Sequence, residues 1–366
     1  MMTASNSWMV SWWEGFGLSS DVPQWVFALL ALLFTYCFVV VPAGAALSFL
    51  DRKFSADLQA RVGPNQAGPA GLFQPIADLL KLLQKGSLTK RPQKASENIW
   101  LSVHSMALYS TLAVMPLGSA ALLVDTEMSA FLPFWSALVL ALGTMLLGLG
   151  QNSVPGWFGG IRIAAQTLAG SFPALIALIC VGVHAGSFRW SALAGAQGFS
   201  PWSWALFSNP FLTIAFLVFI MSGMIVMASA PFDGGLALTD IHGGVASHLY
   251  GRRLGYYRFG RFYVFFLWSV ITVVLFLGGW ALPGRLVSLL REGEAVRVLS
   301  FLELSWLMAK TFLLMLFMIW VARVNPRSRV DQITDFAWKV LSPFSLFALV
   351  GTSLWVGWGI GWGAPW

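Results

Sequence analysis

Residues 51–85 read DRKFSADLQARVGPNQAGPAGLFQPIADLLKLLQK, a charged stretch punctuated by glycine and proline and wedged between two long apolar runs. Hydrocarbon is a poor solvent for such charges and for irregular backbone, so the segment lies outside any bilayer its flanks enter. From Arg61 to Pro69, Gly63 and Gly68 permit unusual dihedrals while Pro64 and Pro69 block helix continuation, which predicts an irregular loop. Beyond it, Leu72, Phe73, Ile76, Leu79, Leu80 and Leu83 share one helical face, and Gln74, Asp78, Lys81 and Lys85 line the other. The pattern predicts an amphipathic helix lying along a membrane face and presenting cations and one carboxylate outward. A plain solvated connection is the alternative.

The rest of the chain supports the membrane reading. Of 366 residues 57% are hydrophobic and only 10% charged, and the mean hydropathy is +0.73. These values predict an all-α integral membrane protein built as one domain over residues 1–366. Eight apolar runs, near 24–49, 99–124, 131–151, 161–186, 210–229, 262–282, 301–322 and 339–359, are long enough to cross. Each needs roughly 20 residues to span about 30 Å of hydrocarbon. The first 20 residues carry no positive charge and no small-residue cleavage pattern, so no cleaved signal peptide is expected. Trp8, Trp12 and Trp13 read as an interfacial anchor.

Charge placement gives the orientation. One set of connections holds sixteen cations: Arg52, Lys53, Arg61, Lys81, Lys85, Lys90, Arg91, Lys94, Arg252, Arg253, Arg258, Arg261, Arg323, Arg327, Arg329 and Lys339. The opposite connections hold four, namely Arg189, Arg285, Arg291 and Arg297. The positive-inside rule places the 51–98 loop in the cytoplasm and both termini outside. The net charge of +7 is thus explained by orientation rather than by nucleic acid. The aromatic-flanked arginines 252–261 likewise read as contacts to anionic lipid or a partner subunit. Cys37 and Cys180 lie in separate apolar runs without any CxxC, so no iron–sulfur cluster or other metal is expected. GWGIGWG near the C-terminus opens no strand–helix unit, which argues against NAD binding. No internal repeat is visible, which disfavours a stand-alone transporter.

Three ordered signatures between Phe49 and Leu346 resemble one family. The first is Arg52-Lys53, Gln59-Ala-Arg61, Gly63-Pro64-Asn65, Gly68, Gly71-Leu72, Gln74-Pro75, Ala77-Asp78, Lys81-Leu82 and Lys85. The second is Pro231-Phe232-Asp233, with Arg162-Ile-Ala-Ala-Gln166 before it. The third joins Phe276-Leu-Gly-Gly-Trp280, Pro326-Arg327-Ser-Arg329-Val-Asp331-Gln332, Trp338-Lys339 and Pro343. Together they resemble the H-type membrane subunits of bacterial proton-translocating NADH–quinone oxidoreductase, respiratory complex I. The resemblance implies eight spans and a cytoplasmic amphipathic helix in the bacterial inner membrane. It also implies a quinone, such as ubiquinone, as substrate. Peripheral quinone-site and iron–sulfur subunits and antiporter-like membrane subunits are the implied partners, with no flavin, cluster or NAD on this chain. By resemblance Arg61, Phe232 and Asp233 form the quinone chamber. Asp51, Arg52, Lys53, Asp78 and Lys81 form its cytoplasmic rim, and Arg327, Arg329 and Asp331 form a docking surface or a salt-bridged loop.

Departures from the family pattern fall on proton-carrying positions. Leu236, Leu238, Ser171 and Ser269 stand where the family usually has acids, Gly86 replaces another, and Asp51 replaces Glu. Asp240 is the expected remnant of proton input, and Lys310, inside the seventh span, is the other candidate, with Glu303 seven residues earlier as a possible partner. Arg162 reads equally as a family residue and as an arginine snorkelling to the interface. His242 and His248 fit ordinary loop histidines better than proton carriers, and His104 and His184 read as span-end residues. The competing functional expectation keeps the architecture and changes the reaction, to a membrane anchor of a complex I-like hydrogenase or ferredoxin-dependent assembly.

Overall fold

The computed structural model describes residues 36–86, 95–110, 115–119, 125–236, 242–284 and 295–358, and Leu33, Leu122 and Val287 singly. The described residues are helical, without strands. We label the principal helices α1 (Val41–Leu58), α2 (Gln74–Gln84), α3 (Ala95–Ser110), α4 (Leu132–Gly150) and α5 (Val154–Ala185). They are followed by α6 (Pro210–Val226), α7 (Gly251–Phe276), α8 (Ala295–Val324), α9 (Val330–Phe336) and α10 (Ser342–Gly357). A π-helical turn, Ala337–Leu341, joins α9 to α10 in one apolar rod.

Five of these helical stretches are long and apolar enough to cross a membrane: Ser129–Gly150, Val154–Ala185, Gly251–Phe276, Val298–Val324 and Val330–Gly357. The protein is a multi-pass membrane protein. The expected spans at 131–151, 161–186, 262–282, 301–322 and 339–359 correspond to these five, and 210–229 to the shorter apolar helix Pro210–Val226. Much of the first expected span lies outside the described residues. The second begins in α3, but residues 115–119 are not helical.

Helix ends follow local chemistry. Ser153 accepts a hydrogen bond from the Gly156 N–H at the start of α5, with Pro155 in the first turn, and Gly186 closes the helix at φ +71°. Asn209 caps α6 through the Phe211 N–H, 2.9 Å away. The core is built by α4–α7 with α8, around Phe134, Phe219, Phe266, Trp268 and Phe276. Outward, Leu142, Leu168, Leu217, Leu313, Phe347 and Leu354 are exposed, the surface expected of lipid-facing helices.

Two expectations about helix boundaries change. Asp51, Arg52 and Lys53 belong to the last turns of α1, which runs to Leu58 where the first apolar run was expected to end at 49. Arg252, Arg253, Arg258 and Arg261 lie in the first three turns of α7 rather than in a connection. A helix satisfies its backbone internally and continues past the apolar stretch into the interface. The predicted loop itself is present: Ala60 and Ala70 have positive φ, and a Cβ on Gly71 would meet the Pro64 carbonyl oxygen at 2.1 Å. Helix α2 follows it, with Ile76, Leu80 and Leu83 exposed on the helix and Leu72 and Phe73 exposed in the turn before it.

Candidate functional site

The two connectors singled out in the sequence converge at one end of the bundle. The turn that opens at Pro231 is fixed from both sides. From α5, the fully buried Gln166 donates its amide to the Ile225 carbonyl at 2.8 Å and to the Phe232 carbonyl. From the segment before α9, the Ser328 N–H donates to the Pro231 carbonyl at 3.0 Å. Phe232, buried, stacks on Phe336 with ring centres 5.9 Å apart. Asp233 follows and pairs with Arg327 at 3.2 Å, while its second carboxylate oxygen, Oδ1, is buried without a hydrogen-bond partner.

The end of α1 supplies the other wall. Arg323 on α8 donates from Nη2 to both carboxylate oxygens of Asp51, at 2.6 and 2.7 Å, and from Nε to one of them at 3.3 Å. Arg52 pairs with Asp78 of α2, and Gln74 donates to the same Asp78 at 3.1 Å. The two-nitrogen contact of Arg323 with Asp51 fixes direction as well as distance between α1 and α8, and the Arg52–Asp78 pair ties α2 to α1.

Between the walls lies a cavity of about 370 Å³, lined by Leu47, Phe262, Phe265 and Ile319 on its apolar side and by Asp51, Arg52, Asp233, Arg258, Arg261, Arg323 and Arg327 on its polar side. Five arginines against two aspartates leave the polar wall strongly cationic. Arg323 and Arg327 are neutralised by the aspartates, whereas Arg258 makes no ion pair among the described residues. Arg261 donates one N–H to the Ala228 carbonyl at 2.9 Å and keeps a buried Nε without a partner. Such a site suits a ligand with an apolar body and a polar head that accepts hydrogen bonds or carries added negative charge.

Of the residues expected at the site, Asp51, Arg52 and Asp233 line this cavity. Phe232 buttresses the turn from behind and Asp78 holds Arg52. Arg61 and Lys81 are exposed on the loop and on α2, Lys53 is half-buried, and none of the three lines the cavity. Asp240 lies outside the described residues, and His242 and His248 are exposed. Arg258 and Arg261, which the sequence presented as lipid or subunit contacts, Arg327, presented as a docking or salt-bridged-loop residue, and Arg323, presented only as an orienting charge, are also cavity residues.

Lys310 is far along the chain from this arrangement and bonds elsewhere. Its ammonium donates to the Leu277 and Gly279 carbonyls at 2.8 and 3.1 Å, beyond the end of α7, and lies over the rings of Trp204 and Trp306. The expected Glu303 partner is engaged differently: its Oε2 accepts from the Ser119 N–H at 3.1 Å and from the Ser119 hydroxyl at 2.5 Å. Seven residues of helix share a face but are two turns apart, and nearer carbonyl dipoles satisfy the cation first. At the departures from the family pattern, Ser171 and Ser269 donate to carbonyls of their own helices, at Leu168 and Phe265. Among the described residues no three His, Cys, Asp or Glu side chains are grouped to hold a metal.

Comparison with known proteins bears on the family to which the chain belongs. The family model described as NADH dehydrogenase matches residues 30–353. A protein of Syntrophobacter fumaroxidans, named as an H-type subunit (number 2) of NADH-quinone oxidoreductase, is 32% identical over 362 residues, covering 96% of this chain and 99% of that one. The H-type subunit of NADH-quinone oxidoreductase from Chlorobaculum parvum is 31% identical over 318 residues, 84% of this chain and 86% of its own. Among solved structures, a chain of the membrane-bound sulfane sulfur reductase, an archaeal respiratory membrane complex, shares the fold with a TM-score of 0.76 at 22% identity, over 89% of this chain and 99% of that one. On the family match and on relatives aligned along nearly its whole length, the chain belongs to the NADH dehydrogenase family of membrane subunits.

Proposed function

We propose that this chain is the membrane subunit of a proton-translocating NADH–quinone oxidoreductase, and that the arginine cavity is the membrane part of its quinone chamber. The observation that carries the reading is the convergence of Asp51, Arg52, Asp233, Arg261, Arg323 and Arg327 on one cavity with an apolar flank. A quinone has an apolar tail, two carbonyl acceptors and no donor. Guanidinium groups supply the donors, and their positive field favours the electron-rich, reduced ring over the oxidised one. Asp233, held by Arg327 with one oxygen still unpartnered, is placed to accept and return a proton at the headgroup.

Electrons reach the chamber from an iron–sulfur cluster on a peripheral partner subunit, docked at the same end against α2, the 59–73 loop and the α8–α9 connection. The chain lies in the bacterial inner membrane with this end cytoplasmic and both termini outside. Arg61, Lys53 and Lys81 contribute to the docking rim. Asp240 and Lys310 remain candidates for the proton path. Leu236, Ser171 and Ser269, in place of family acids, favour a second reading in which the same scaffold anchors a hydrogenase or ferredoxin-dependent assembly.

Purification of the intact complex in mild detergent separates the two. An NADH-oxidising flavoprotein partner supports the first reading and a nickel-bearing partner the second. Within the first, Asp233→Asn is expected to lower quinone reduction by about a hundredfold, the low end of what a general acid–base group contributes. Subunit composition on native gels should be unchanged, and unaltered turnover would remove Asp233 from the chamber.

A further inference from the structure

The residues on either side of Asp233 are held by one segment from elsewhere in the chain. The Ser328 N–H donates to the Pro231 carbonyl at 3.0 Å, and the Phe336 ring stacks on that of Phe232 at an interplanar angle of 17°. On the other side, a Cβ on Gly234 would meet Cγ2 of Val330 at 2.6 Å and Cδ1 of Ile333 at 3.4 Å. Pro231, Phe232 and Gly234 are thus seated on α9 and the residues just before it. Asp233, between them, carries the cavity carboxylate.

The ion pair with Arg327 is not what aims that carboxylate. The Arg327 side chain is 54% exposed against 13% for Asp233, and a solvated cation does little to fix one geometry. Phe232 is buried, and a packed aromatic pair has no such competition from water. Helix α9 is aimed in turn by the π-helical turn Ala337–Leu341. Ile333 and Thr352 are both fully buried, yet an uninterrupted α-helix would set them roughly 100° apart around its axis. The extra residue of a π-turn takes up that offset, so α9 faces Gly234 while α10 packs on α5. The turn is secured by the Ser342 hydroxyl, which donates to the Ala337 carbonyl at 2.9 Å, and by Trp338, whose ring centre lies 5.2 Å from that of Phe172 on α5.

We propose that Phe336 is a positioning residue for the quinone reaction: aimed by the π-turn, its ring fixes Phe232 and thereby the direction of the Asp233 carboxylate in the arginine cavity. Phe336 does not line the cavity and touches no substrate. The kinetic part of the inference rests on the chamber role proposed for Asp233, whereas the fixing of the turn does not.

Two measurements on the intact complex test it. Hydrogen–deuterium exchange read by mass spectrometry needs no turnover. Phe336 is half-buried, so leucine is accommodated there. Phe336→Leu should speed exchange over residues 231–236 about two- to tenfold, the effect of losing one aromatic pair, and Phe336→Tyr, which keeps the ring, should restore it. Exchange at the wild-type rate in Phe336→Leu, or equally fast in both variants, would overturn the inference whatever the reaction. The second measurement is a double-mutant cycle on NADH:quinone turnover. Phe336→Leu should lower kcat about tenfold with Asp233 present, change the apparent KM less, and lower kcat no further in the Asp233→Asn background. Equal losses in the two backgrounds would mean that Phe336 acts by another route, and a wild-type kcat that it positions nothing; either overturns the inference. Should Asp233→Asn alone turn over like wild type, the chamber role of Asp233 fails and the kinetic role of Phe336 with it, and exchange still decides whether Phe336 fixes the turn.

Discussion

At the scale of single residues, buried glutamines organise irregular backbone both near the site and at the far end of α7. Gln151 donates to the Val245 carbonyl at 2.6 Å, and Gln166 holds both Ile225 and Phe232. Gln197 bridges the Val274 and Leu275 carbonyls and accepts from the Ala205 and Gly278 N–H groups. An amide suits this task because it offers donors and an acceptor without charge. Gln166→Leu keeps the volume and removes both donated bonds; the Ile225 carbonyl keeps the Ala228 N–H, and the Phe232 carbonyl is left unsatisfied at about 1–3 kcal/mol. The expected result is a markedly lower thermal unfolding midpoint for the purified complex, together with faster proteolysis at the 229–250 connector. A midpoint equal to wild type would show that the Pro231 turn holds itself. Residues of this kind were only partly legible in the sequence. Asp233 and Arg52 stand beside turn-forming or loop-forming signals, so their exposure to a cavity could be anticipated. The pairing of Glu303 with Ser119 joins residues 184 positions apart, and no local spacing rule reaches that far.

At the scale of helices, glycine sets the distances. The α4–α5 contact is close because a Cβ on Gly148 would meet the Gly156 carbonyl oxygen at 2.4 Å, a backbone atom that cannot rotate away. Gly148→Ala therefore forces the two helices apart, at a cost of about 1–3 kcal/mol typical of overpacking. Gly86→Ala is the control, since nothing lies within 4 Å of its added methyl. Unfolding in graded denaturing detergent should separate the two, with loss of stability confined to Gly148→Ala; equal stability would mean that α4 and α5 tolerate a wider spacing. Hydropathy located five of the long spanning helices and set their order, yet it displaced their starts. The helices begin at Val154, Gly251 and Val330, where the apolar runs suggested 161, 262 and 339. The reason is physical: hydropathy marks where hydrocarbon ends, whereas a helix ends where its backbone finds a cap or a breaker. The same displacement hid Arg258 and Arg261, which hydropathy assigned to a connection and the helix carries into the cavity wall.

At the scale of the whole molecule, the ion pairs divide the connections into two groups that match the division read from charge. Asp51–Arg323, Arg52–Asp78 and Asp233–Arg327 tie together three connections expected on one side. On the other side Arg189 pairs with Glu127 and the Ser191 hydroxyl donates to Asp125. Helices of about 30 Å or more separate the groups, since α5 alone has 32 residues and a rise of 1.5 Å per residue makes it about 48 Å long. The arrangement therefore makes a statement about topology that stands apart from any quinone chemistry. Lys81→Cys and Arg329→Cys, placed at exposed positions on α2 and at the start of α9, should resist a membrane-impermeant maleimide added to intact cells and react once the cells are opened. Arg189→Cys should react from outside. The native Cys180 is buried, and Cys37, which is exposed in the isolated chain, is first replaced by serine so that it contributes no background. Labelling of Lys81→Cys and Arg329→Cys from the exterior would invert the molecule and place the arginine cavity on the wrong face for a cytoplasmic electron donor. Labelling of only one of the two would contradict the shared end itself, and with it the cavity that the two connectors enclose.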